Sequence, residues 1–349
     1  MTRRRISVGE TQAWDEGGEG RGVVSSIGEI TDTSFRAEQS EVEESREHIE
    51  ISPLHLLLRR DFGRDDVVHM TELYNTLKQF GKVKTNEPLS KHTTFKIGGP
   101  AQYFVTVEET EKLVELLKYL DGEGTPYVIL GGGSNTLAHD AVFDGVVIRI
   151  RNKEFRIQNT IAITDAGCST VEVAQKTMAA GLTGFEWGVG VPGTIGGAVR
   201  GNAGAMGGDM KKDVLKVDVY RDGEVFEMTN DECKFDYRTS VFKQESGVVL
   251  RVYLQLAEAE PDAVLMKKAL EHLQYRNSTQ PQGFASSGCI FTNVEYGKQN
   301  AKTLDALKEL DAETMQKFEQ VGKISAGWLI DKAGLKGKQI GNVQISPKH

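Results

Sequence analysis

The sequence predicts an α+β protein with strands and helices in mixed order. Short strand patterns and amphipathic helix patterns follow one another without the regular repeat of a doubly wound sheet. The tripeptide Arg221-Asp222-Gly223 lies between two strand patterns and indicates a hairpin. Two glycine-rich segments, at residues 131–135 and 188–208, lack the period of a helix or a strand. Together these observations favour a mixed fold built around two loops.

The predicted elements begin after residue 70. Helical periodicity occurs at residues 71–80, 110–120, 171–180, 261–275 and 325–330. Strand patterns occur at residues 101–105, 127–130, 146–150, 161–165, 214–220, 224–228 and 248–256. The strand at 127–130 runs directly into the first glycine segment, and the helix at 171–180 leads into the second. In the helix at 261–275, one predicted apolar face consists of Ala263, Met266, Leu270 and Leu273.

The glycine segments predict a site for a large phosphate-bearing cofactor. Residues 188–208 contain nine glycines in 21 positions, and residues 131–135 read Gly-Gly-Gly-Ser-Asn. Neither segment has the GxGxxG spacing of a Rossmann loop or the Gly-Lys-Ser/Thr of a P-loop. Glycine allows a backbone to approach a ligand closely, and backbone N–H groups can then hold its phosphates.

Composition excludes several classes of function. The formal net charge is −8, and no long basic stretch indicates nucleic-acid binding. No apolar run approaches the roughly 20 residues of a membrane span. The cysteines, Cys168, Cys233 and Cys289, form no CxxC pair, and the seven histidines have no metal-ligand spacing. We therefore expect a cytoplasmic protein without a metal site.

Lysine and arginine usage divides the chain near residue 70. Residues 1–69 contain nine arginines and no lysine, with a net charge of −6 (9 − 15). Residues 70–349 contain 25 lysines and eight arginines, with a net charge of −2 (33 − 35). The first segment also lacks a core pattern up to about residue 48. We interpret residues 1–69 as a leader that is disordered or non-native and dispensable for folding.

Three side chains are candidates for chemistry, and each also has a plain structural interpretation. Arg238 follows Tyr237, and its guanidinium could hold a carboxylate, or it could form a surface ion pair. Cys289 follows a Ser-Gly turn and could donate a proton, or it could be a buried structural cysteine. Lys323 could reach an anionic group, whereas residues 325–330 after it could simply be a core helix.

Taken together, six segments resemble the UDP-N-acetylenolpyruvoylglucosamine reductase (UDP-N-acetylmuramate dehydrogenase) family. They occur in family order and span most of residues 70–349. The segments are residues 89–99 (LSKHTTFKIGG), 131–135 (GGGSN), 191–208 (VPGTIGGAVRGNAGAMGG), 237–242 (YRTSVF), 287–291 (SGCIF) and 323–331 (KISAGWLID).

The resemblance implies an FAD-binding domain of the vanillyl-alcohol-oxidase type at residues 70–257 and a smaller α+β substrate domain at residues 258–349. It implies non-covalent FAD, NADPH as reductant, and reduction of UDP-N-acetylglucosamine enolpyruvate to UDP-N-acetylmuramate in peptidoglycan precursor synthesis. The residues implied to hold FAD are Gly131, Gly132, Gly133, Ser134, Asn135, Pro192, Gly193, Thr194, Gly196, Gly197, Asn202 and Gly204.

The same resemblance implies roles at the reacting end of the site. Tyr237 and Arg238 would meet the substrate, and Asn293 and Lys323 would lie toward its UDP part. Cys289 stands where the family commonly has its proton-donating serine. Cys289 follows Arg238 by 51 positions (289 − 238), which resembles the shorter type of the family.

Two features depart from the family pattern. Val294 stands where proline is usual, and the chain ends at His349, before a tail that supplies a glutamate in the family. The resemblance to a C-terminally truncated member therefore implies weak activity. Two alternatives remain from the sequence: a weakly active or inactive flavin-binding homologue, and another flavin oxidoreductase of the same fold.

Overall fold

The computed structural model describes residues 64–259, 263–281 and 283–348. The chain divides into two units, residues 1–73 and 74–349. The described part of the first unit is helical and belongs to α1 (Arg64–Leu77), the helix predicted at residues 71–80. Apart from the start of this helix, the predicted leader at residues 1–69 lies outside the described residues.

The first sheet follows α1 and has four strands. Its members are β1 (Lys82–Pro88), β2 (Pro100–Val107), β3 (Tyr127–Leu130) and β4 (Phe143–Ile150), in the spatial order β1-β2-β4-β3. β2 and β3 both pair with β4 in parallel, and β1 pairs with β2 in antiparallel fashion. Helix α2 (Thr110–Glu123) connects β2 to β3. Its leucines are fully buried: Leu113, Leu116, Leu117 and Leu120.

The second sheet is antiparallel and has five strands. They are β5 (Phe155–Gln158), β6 (Ile161–Asp165), β10 (Val214–Arg221), β11 (Glu224–Thr229) and β12 (Val248–Gln255), in the order β11-β10-β12-β6-β5. Asp222 and Gly223, both with positive φ, form the loop between β10 and β11. The predicted hairpin is confirmed, since Asp-Gly suits such a two-residue turn.

The glycine-rich segment contains a helix that periodicity did not indicate. Helix α3 (Thr170–Ala179) and strand β7 (Leu182–Thr183) precede helix α4 (Ile195–Arg200), and β7 pairs with the later strand β13 (Ala257–Glu258). Ile195 and Val199 are fully buried in the core of the second sheet. Gly196 lies so close to Ala166 that an added Cβ would be 2.8 Å from the Cβ of Ala166. Packing, rather than helix propensity, therefore fixes this short helix.

Polar contacts join the two sheets. Asp121 accepts hydrogen bonds from the hydroxyls of Tyr220 at 2.7 Å and Tyr127 at 3.2 Å. The buried Asn152 donates to the hydroxyl of Thr110 and accepts from the amide of Gly167, both at 2.8 Å. These bonds link α2 and β3 to β10 and the turn after β6, so the glycine loops of both halves keep a fixed relation.

Short elements complete the chain. They are β8 (Gly204–Ala205), β9 (Gly208–Asp209), α5 (Met210–Asp213), α6 (Val241–Gln244), α7 (Ala263–Thr279), β14 (Val294–Glu295), α8 (Ala301–Leu310), α9 (Ala312–Val321), β15 (Lys323–Ile324), α10 (Ala326–Lys332), β16 (Gln339–Ile340) and β17 (Val343–Gln344). β14 pairs with β15, and Phe318 meets Trp328 edge to face at 5.4 Å between ring centroids.

The predicted elements exist, with shifted ends. The strands predicted at 127–130 and 161–165 have the predicted bounds, whereas α7 ends four residues beyond the predicted 261–275. Leu270, predicted on the apolar face of this helix, is 53% exposed, whereas Leu265 and Ala269 of the same helix are buried. Within the described ranges, no helix is both long and apolar enough to span a membrane.

We expect Asp213, at the end of α5, to destabilise the protein above its pKa. Its buried carboxyl accepts from Trp187 Nε1 at 2.7 Å, and burial raises its pKa from 3.8 to about 6. The stability that this group contributes is present below pH 3.8 and is lost as the pH rises through 6. Asp213→Asn keeps an acceptor for Trp187 without the charge. It should raise the free energy of unfolding at pH 8 by up to about 3 kcal/mol, and the gain should shrink toward pH 4.

Denaturant unfolding at several pH values measures this difference. Asp222→Asn, in the exposed hairpin turn, removes the same charge without burial and serves as the control. Identical stability–pH curves for Asp213→Asn and the wild type would contradict the assignment.

Candidate functional site

The two predicted glycine loops are in direct contact. Ser134 Oγ donates to the carbonyl of Pro192 at 3.0 Å. A Cβ added to Gly132 would lie 2.7 Å from the Cα of Gly193, and one added to Gly131 would collide with the Thr194 hydroxyl. Gly193 also has a φ of +116°, a conformation that other residues rarely adopt. Glycine at these positions therefore lets one loop pack against the other, backbone to backbone.

The loops present backbone donors that no described protein atom accepts. The amides of residues 131–135, Gly193 and Thr194 form no hydrogen bond within the described parts of the chain. The first loop follows the parallel strand β3, and the second leads into the N-terminus of α4. Consecutive N–H groups of this kind bind phosphate oxygens. The cradle therefore fits the diphosphate of a dinucleotide such as FAD.

Thr94 connects the first glycine loop to the C-terminal part of the chain. Its amide donates to the carbonyl of Gly133 at 3.0 Å, and its hydroxyl donates to the carbonyl of Ser286 at 2.6 Å. The amide of Ser286 returns a bond to the carbonyl of Thr94 at 3.1 Å. Sequence patterns alone indicate no role for Thr94. Its position in the segment at residues 89–99 was the available signal.

His92 fixes the same segment from the other side. Its carbonyl lies against Gly133, and its ring stacks on Phe104 at 4.0 Å between centroids. Nε2 lies 2.8 Å from Glu87 Oε1, and Nδ1 lies 2.8 Å from Arg149 Nη1. Burial and the neighbouring Arg149 lower the pKa of His92 against the opposing effect of Glu87. A neutral ring that donates from Nε2 and accepts at Nδ1 satisfies both neighbours.

Arg238 occupies a strained position in a tight turn. Asp236 and Thr239 exchange two backbone hydrogen bonds of 3.1 Å, and Arg238, inside this turn, has a φ of +57°. Glycine is the usual residue at such a φ. The Arg238 guanidinium donates to the carbonyl of Gly204 at 2.9 Å. No ion pair of Arg238 occurs among the described residues, so none of them supports the surface ion-pair interpretation. Strain held in this way is typical of functional positions.

Tyr237 brings the remaining substrate candidates together. Lys323 Nζ lies 3.5 Å from the centroid of the Tyr237 ring, and the amide of Asn293 donates to the Tyr237 hydroxyl at 3.3 Å. The Arg238 guanidinium carbon lies 5.7 Å from the same ring. Asn293 also accepts from the amide of Ala326 at 3.2 Å, which ties it to the start of α10. Residues that the sequence predicted to share a site are therefore neighbours.

Cys289 is the exposed cysteine of the three. The alternative of a buried structural cysteine is therefore wrong. The loop that carries Cys289 is anchored at Ser286, which bonds to Thr94 beside the first glycine loop. Within the described residues, no hydrogen bond joins the Cys289 thiol to Arg238 or Tyr237. The structure therefore places Cys289 on the loop next to the site, without a bond to these two residues.

Asn202 and Gly204 support the Arg238 turn. The buried Asn202 side chain donates to the carbonyl of Asp236 at 2.8 Å and accepts from the amide of Lys211 at 3.0 Å. Gly204 supplies the carbonyl that the Arg238 guanidinium contacts. A direct role of Asn202, Gly204, Gly196 and Gly197 in cofactor binding stays a prediction. No group of three or more potential metal ligands occurs in the described part of the chain.

Family comparisons match both parts of the chain. Residues 100–229 match the FAD binding domain family, and residues 280–349 match the C-terminal domain of UDP-N-acetylenolpyruvoylglucosamine reductase. Together with the glycine cradle, the two matches define the class of the protein as an FAD-binding oxidoreductase.

Similar curated proteins and a similar crystal structure identify the family of this chain. The chain is 34% identical to the UDP-N-acetylenolpyruvoylglucosamine reductase of Caldanaerobacter subterraneus, over 80% of this chain and 83% of that protein. The Bacillus subtilis reductase is 33% identical, over 78% and 82%. The crystal structure of the Thermus caldophilus reductase is 31% identical, covers 77% of this chain and 85% of that one, and superposes with a TM-score of 0.58. The chain belongs to the UDP-N-acetylenolpyruvoylglucosamine reductase family.

The family match confirms the predicted α+β class, with an FAD-binding domain followed by a second domain. It also decides between the alternatives that the sequence left open. The C-terminal match is to the reductase itself, which disfavours another flavin oxidoreductase of the same fold.

We expect glycine to be more stabilising than alanine at position 238. Both substitutions remove the guanidinium, but only glycine adopts a φ of +57° without strain. Arg238→Gly should therefore unfold with a free energy about 1 kcal/mol higher than Arg238→Ala. Tyr237, the preceding turn residue, lacks a positive φ and serves as the control, where alanine should be the more stable variant. The same order at both positions would contradict strain at Arg238.

A thiol reagent should distinguish Cys289 from the other two cysteines. Cys168 and Cys233 are buried, and burial raises the pKa of both thiols, which suppresses the reactive thiolate. In the native protein we expect rapid modification of one thiol, and of all three after unfolding in denaturant. Cys289→Ser should remove the rapid phase. Rapid native labelling that persists in Cys289→Ser would refute this arrangement.

Proposed function

We propose that this protein catalyses the FAD-dependent reduction of UDP-N-acetylglucosamine enolpyruvate to UDP-N-acetylmuramate, a step of peptidoglycan precursor synthesis. NADPH is the proposed reductant, and FAD is held without a covalent bond. The observation that carries the proposal is the meeting of Lys323, Asn293 and Arg238 around Tyr237. These residues come from three separate segments and meet at Tyr237, and Arg238 also contacts the Gly204 carbonyl in the second glycine-rich segment. The cytoplasm is the proposed location, because the three cysteines are unpaired.

The proposed cofactor residues are those of the cradle. The free amides of residues 131–135, Gly193 and Thr194 would hold the diphosphate of FAD. Ser134 and Pro192 contribute the hydrogen bond that keeps the two loops together. The family match to an FAD binding domain at residues 100–229 supports this assignment.

The proposed domains follow the two family matches. Residues 70–257 would form the FAD-binding domain and residues 258–349 the substrate-binding domain. The matches at residues 100–229 and 280–349 support a boundary between them. Thr94 and Ser286 would connect the domains through their pair of hydrogen bonds.

The substrate carries a vinyl ether conjugated to a carboxylate, and the proposed residues act on these groups. When bound, FAD supplies the hydride that adds to the terminal vinyl carbon. The displaced electron pair moves onto the carboxylate, which becomes enediolate-like. Arg238 would stabilise that charge through parallel hydrogen bonds. The Cys289 thiol would then protonate the adjacent carbon and recover its proton from water. Lys323 and Asn293 would contact the UDP part.

We expect Cys289 variants to separate the two half-reactions. Cys289→Ala should keep reduction of the flavin by NADPH but lose reoxidation by the enolpyruvyl substrate. Cys289→Ser should retain much of the reoxidation, because a hydroxyl can still donate a proton. Stopped-flow absorbance of the flavin measures both steps. Normal reoxidation in Cys289→Ala would show that another group donates the proton.

We expect Arg238→Lys to impair reoxidation as well. An ammonium cannot form the planar two-point contact of a guanidinium, and loss of one such group costs about 10² to 10³ in rate. Lys234→Gln removes an exposed cation that pairs with Glu245 and should leave the rates unchanged. The proposed function would be refuted if the wild-type protein binds FAD but its reduced flavin is not reoxidised by the enolpyruvyl substrate.

A further inference from the structure

Two further cationic residues, Lys243 and Arg200, lie in segments joined to the Arg238 turn and have no role in the proposed reaction. Lys243, in α6, donates from Nζ to the carbonyl of Arg238 at 2.6 Å. Arg200, the last residue of α4, has its carbonyl bonded to the buried Ser240 hydroxyl at 2.8 Å. Ser240 lies between Arg238 and Lys243 in the chain, so the backbones of these segments are joined. We call Arg200, Arg238 and Lys243 the cation cluster.

The cation cluster lacks a counter-charge. Among the described residues, no carboxylate forms an ion pair with any of its three members. Glu245, two residues beyond Lys243, already pairs with Arg221 at 3.0 Å and Lys234 at 3.5 Å. The Asp236 carboxylate accepts from the backbone amide of Tyr237 at 2.7 Å. The nearby acids in the chain are therefore engaged elsewhere.

The like charges also repel one another. The side chains of the cluster are exposed, yet surrounding protein removes part of their hydration. This partial burial lowers the pKa of both Lys243 and Arg200, and the charges of Arg200 and Arg238 lower the pKa of Lys243 further. Arg200 and Arg238 are both within electrostatic range of Lys243, and like charges without an acid among the described residues destabilise the unliganded protein. A bound anion would relieve this repulsion.

Besides its positive charge, the cation cluster has side-chain N–H groups without a hydrogen-bond partner among the described residues. Lys243 uses one of its three N–H groups on the Arg238 carbonyl, which leaves the others available. No side-chain hydrogen bond of Arg200 occurs within the described residues. Its planar guanidinium can therefore form two parallel bonds with an oxyanion. This combination suits a carboxylate or a phosphate better than a neutral ligand.

We propose that Arg200 and Lys243 complete, with Arg238, a subsite that binds an oxyanion of a ligand of this enzyme. The shared chemistry is a carboxylate or phosphate, and the two sources are the enolpyruvyl carboxylate of the substrate and the phosphate that distinguishes NADPH from NADH. The identity of these ligands rests on the proposed function. The binding of an oxyanion by the cation cluster does not depend on the proposed function.

Inorganic phosphate is the probe for the subsite itself. The full-length, FAD-loaded protein is titrated with phosphate at constant ionic strength, and its thermal stability is followed. We expect phosphate to stabilise the wild type and to bind about tenfold or more weakly to Arg200→Gln and Lys243→Gln. Lys243→Arg should retain binding, because it keeps the charge. Without phosphate, Arg200→Gln should be at least as stable as the wild type, since repulsion is removed.

Arg156→Gln and Lys234→Gln are the matched controls. Both remove one exposed cation outside the cluster and should bind phosphate as the wild type does. Equal phosphate stabilisation of the wild type and the two cluster variants would overturn the proposal. Loss of stability in Arg200→Gln without any change in phosphate affinity would indicate a purely structural residue and would overturn it as well.

Half-reactions of the cluster variants then identify the source of the oxyanion. A selective loss of affinity for NADPH over NADH would support the nucleotide phosphate. A selective loss of reoxidation by the enolpyruvyl substrate would support the carboxylate. Unchanged half-reactions despite weakened phosphate binding would overturn the link to a ligand of the enzyme. Cluster-dependent phosphate binding in a wild type that the substrate cannot reoxidise would refute the proposed function and retain the oxyanion subsite.

Discussion

The close contact between the two glycine loops is the constraint on which the rest of the site depends. Gly132 and Gly193 approach so closely that a single Cβ on Gly132 would lie 2.7 Å from the neighbouring Cα. No side chain could be accommodated there without moving the backbone. The contact brings the loop after β3 against the loop that leads into α4, and the amides of both loops form no hydrogen bond among the described residues. Glycine serves here first to pack two loops together, and only through that contact to present donors.

The site concentrates features that destabilise an isolated fold. Arg238 holds a left-handed φ, and it belongs to a cation cluster with which no described carboxylate forms an ion pair. Such costs persist where the surrounding structure compensates for them. Asn202 is that support here: buried, with both ends of its amide hydrogen-bonded, it ties the Arg238 turn to the glycine-rich segment. The Asn202 amide below the site therefore has its hydrogen-bond partners, whereas the cations at the surface of the site have no acidic partner among the described residues.

The C-terminal segment reaches the site through a small number of polar contacts. Thr94 and Ser286 exchange backbone and hydroxyl bonds, and Tyr237 receives Asn293 and Lys323. These contacts are polar and come in addition to apolar packing, because Leu265 and Ala269 of α7 are buried in the core of the second sheet. The arrangement links the strained turn and the glycine cradle to the same distal segment. A ligand held by both would therefore be held between the two parts of the chain.

The sequence by itself determined the α+β class, the strands at 127–130 and 161–165, the Asp-Gly hairpin and the two glycine loops. These features depend on periodicity and turn chemistry within a few residues. The ordered motifs also indicated the family and its site residues. Three features became evident from the tertiary structure alone: Gly132 packs on Gly193, Lys243 bonds to the Arg238 carbonyl, and Leu270 is exposed. Contacts between residues far apart in the chain depend on how elements pack, and local patterns carry no record of that geometry.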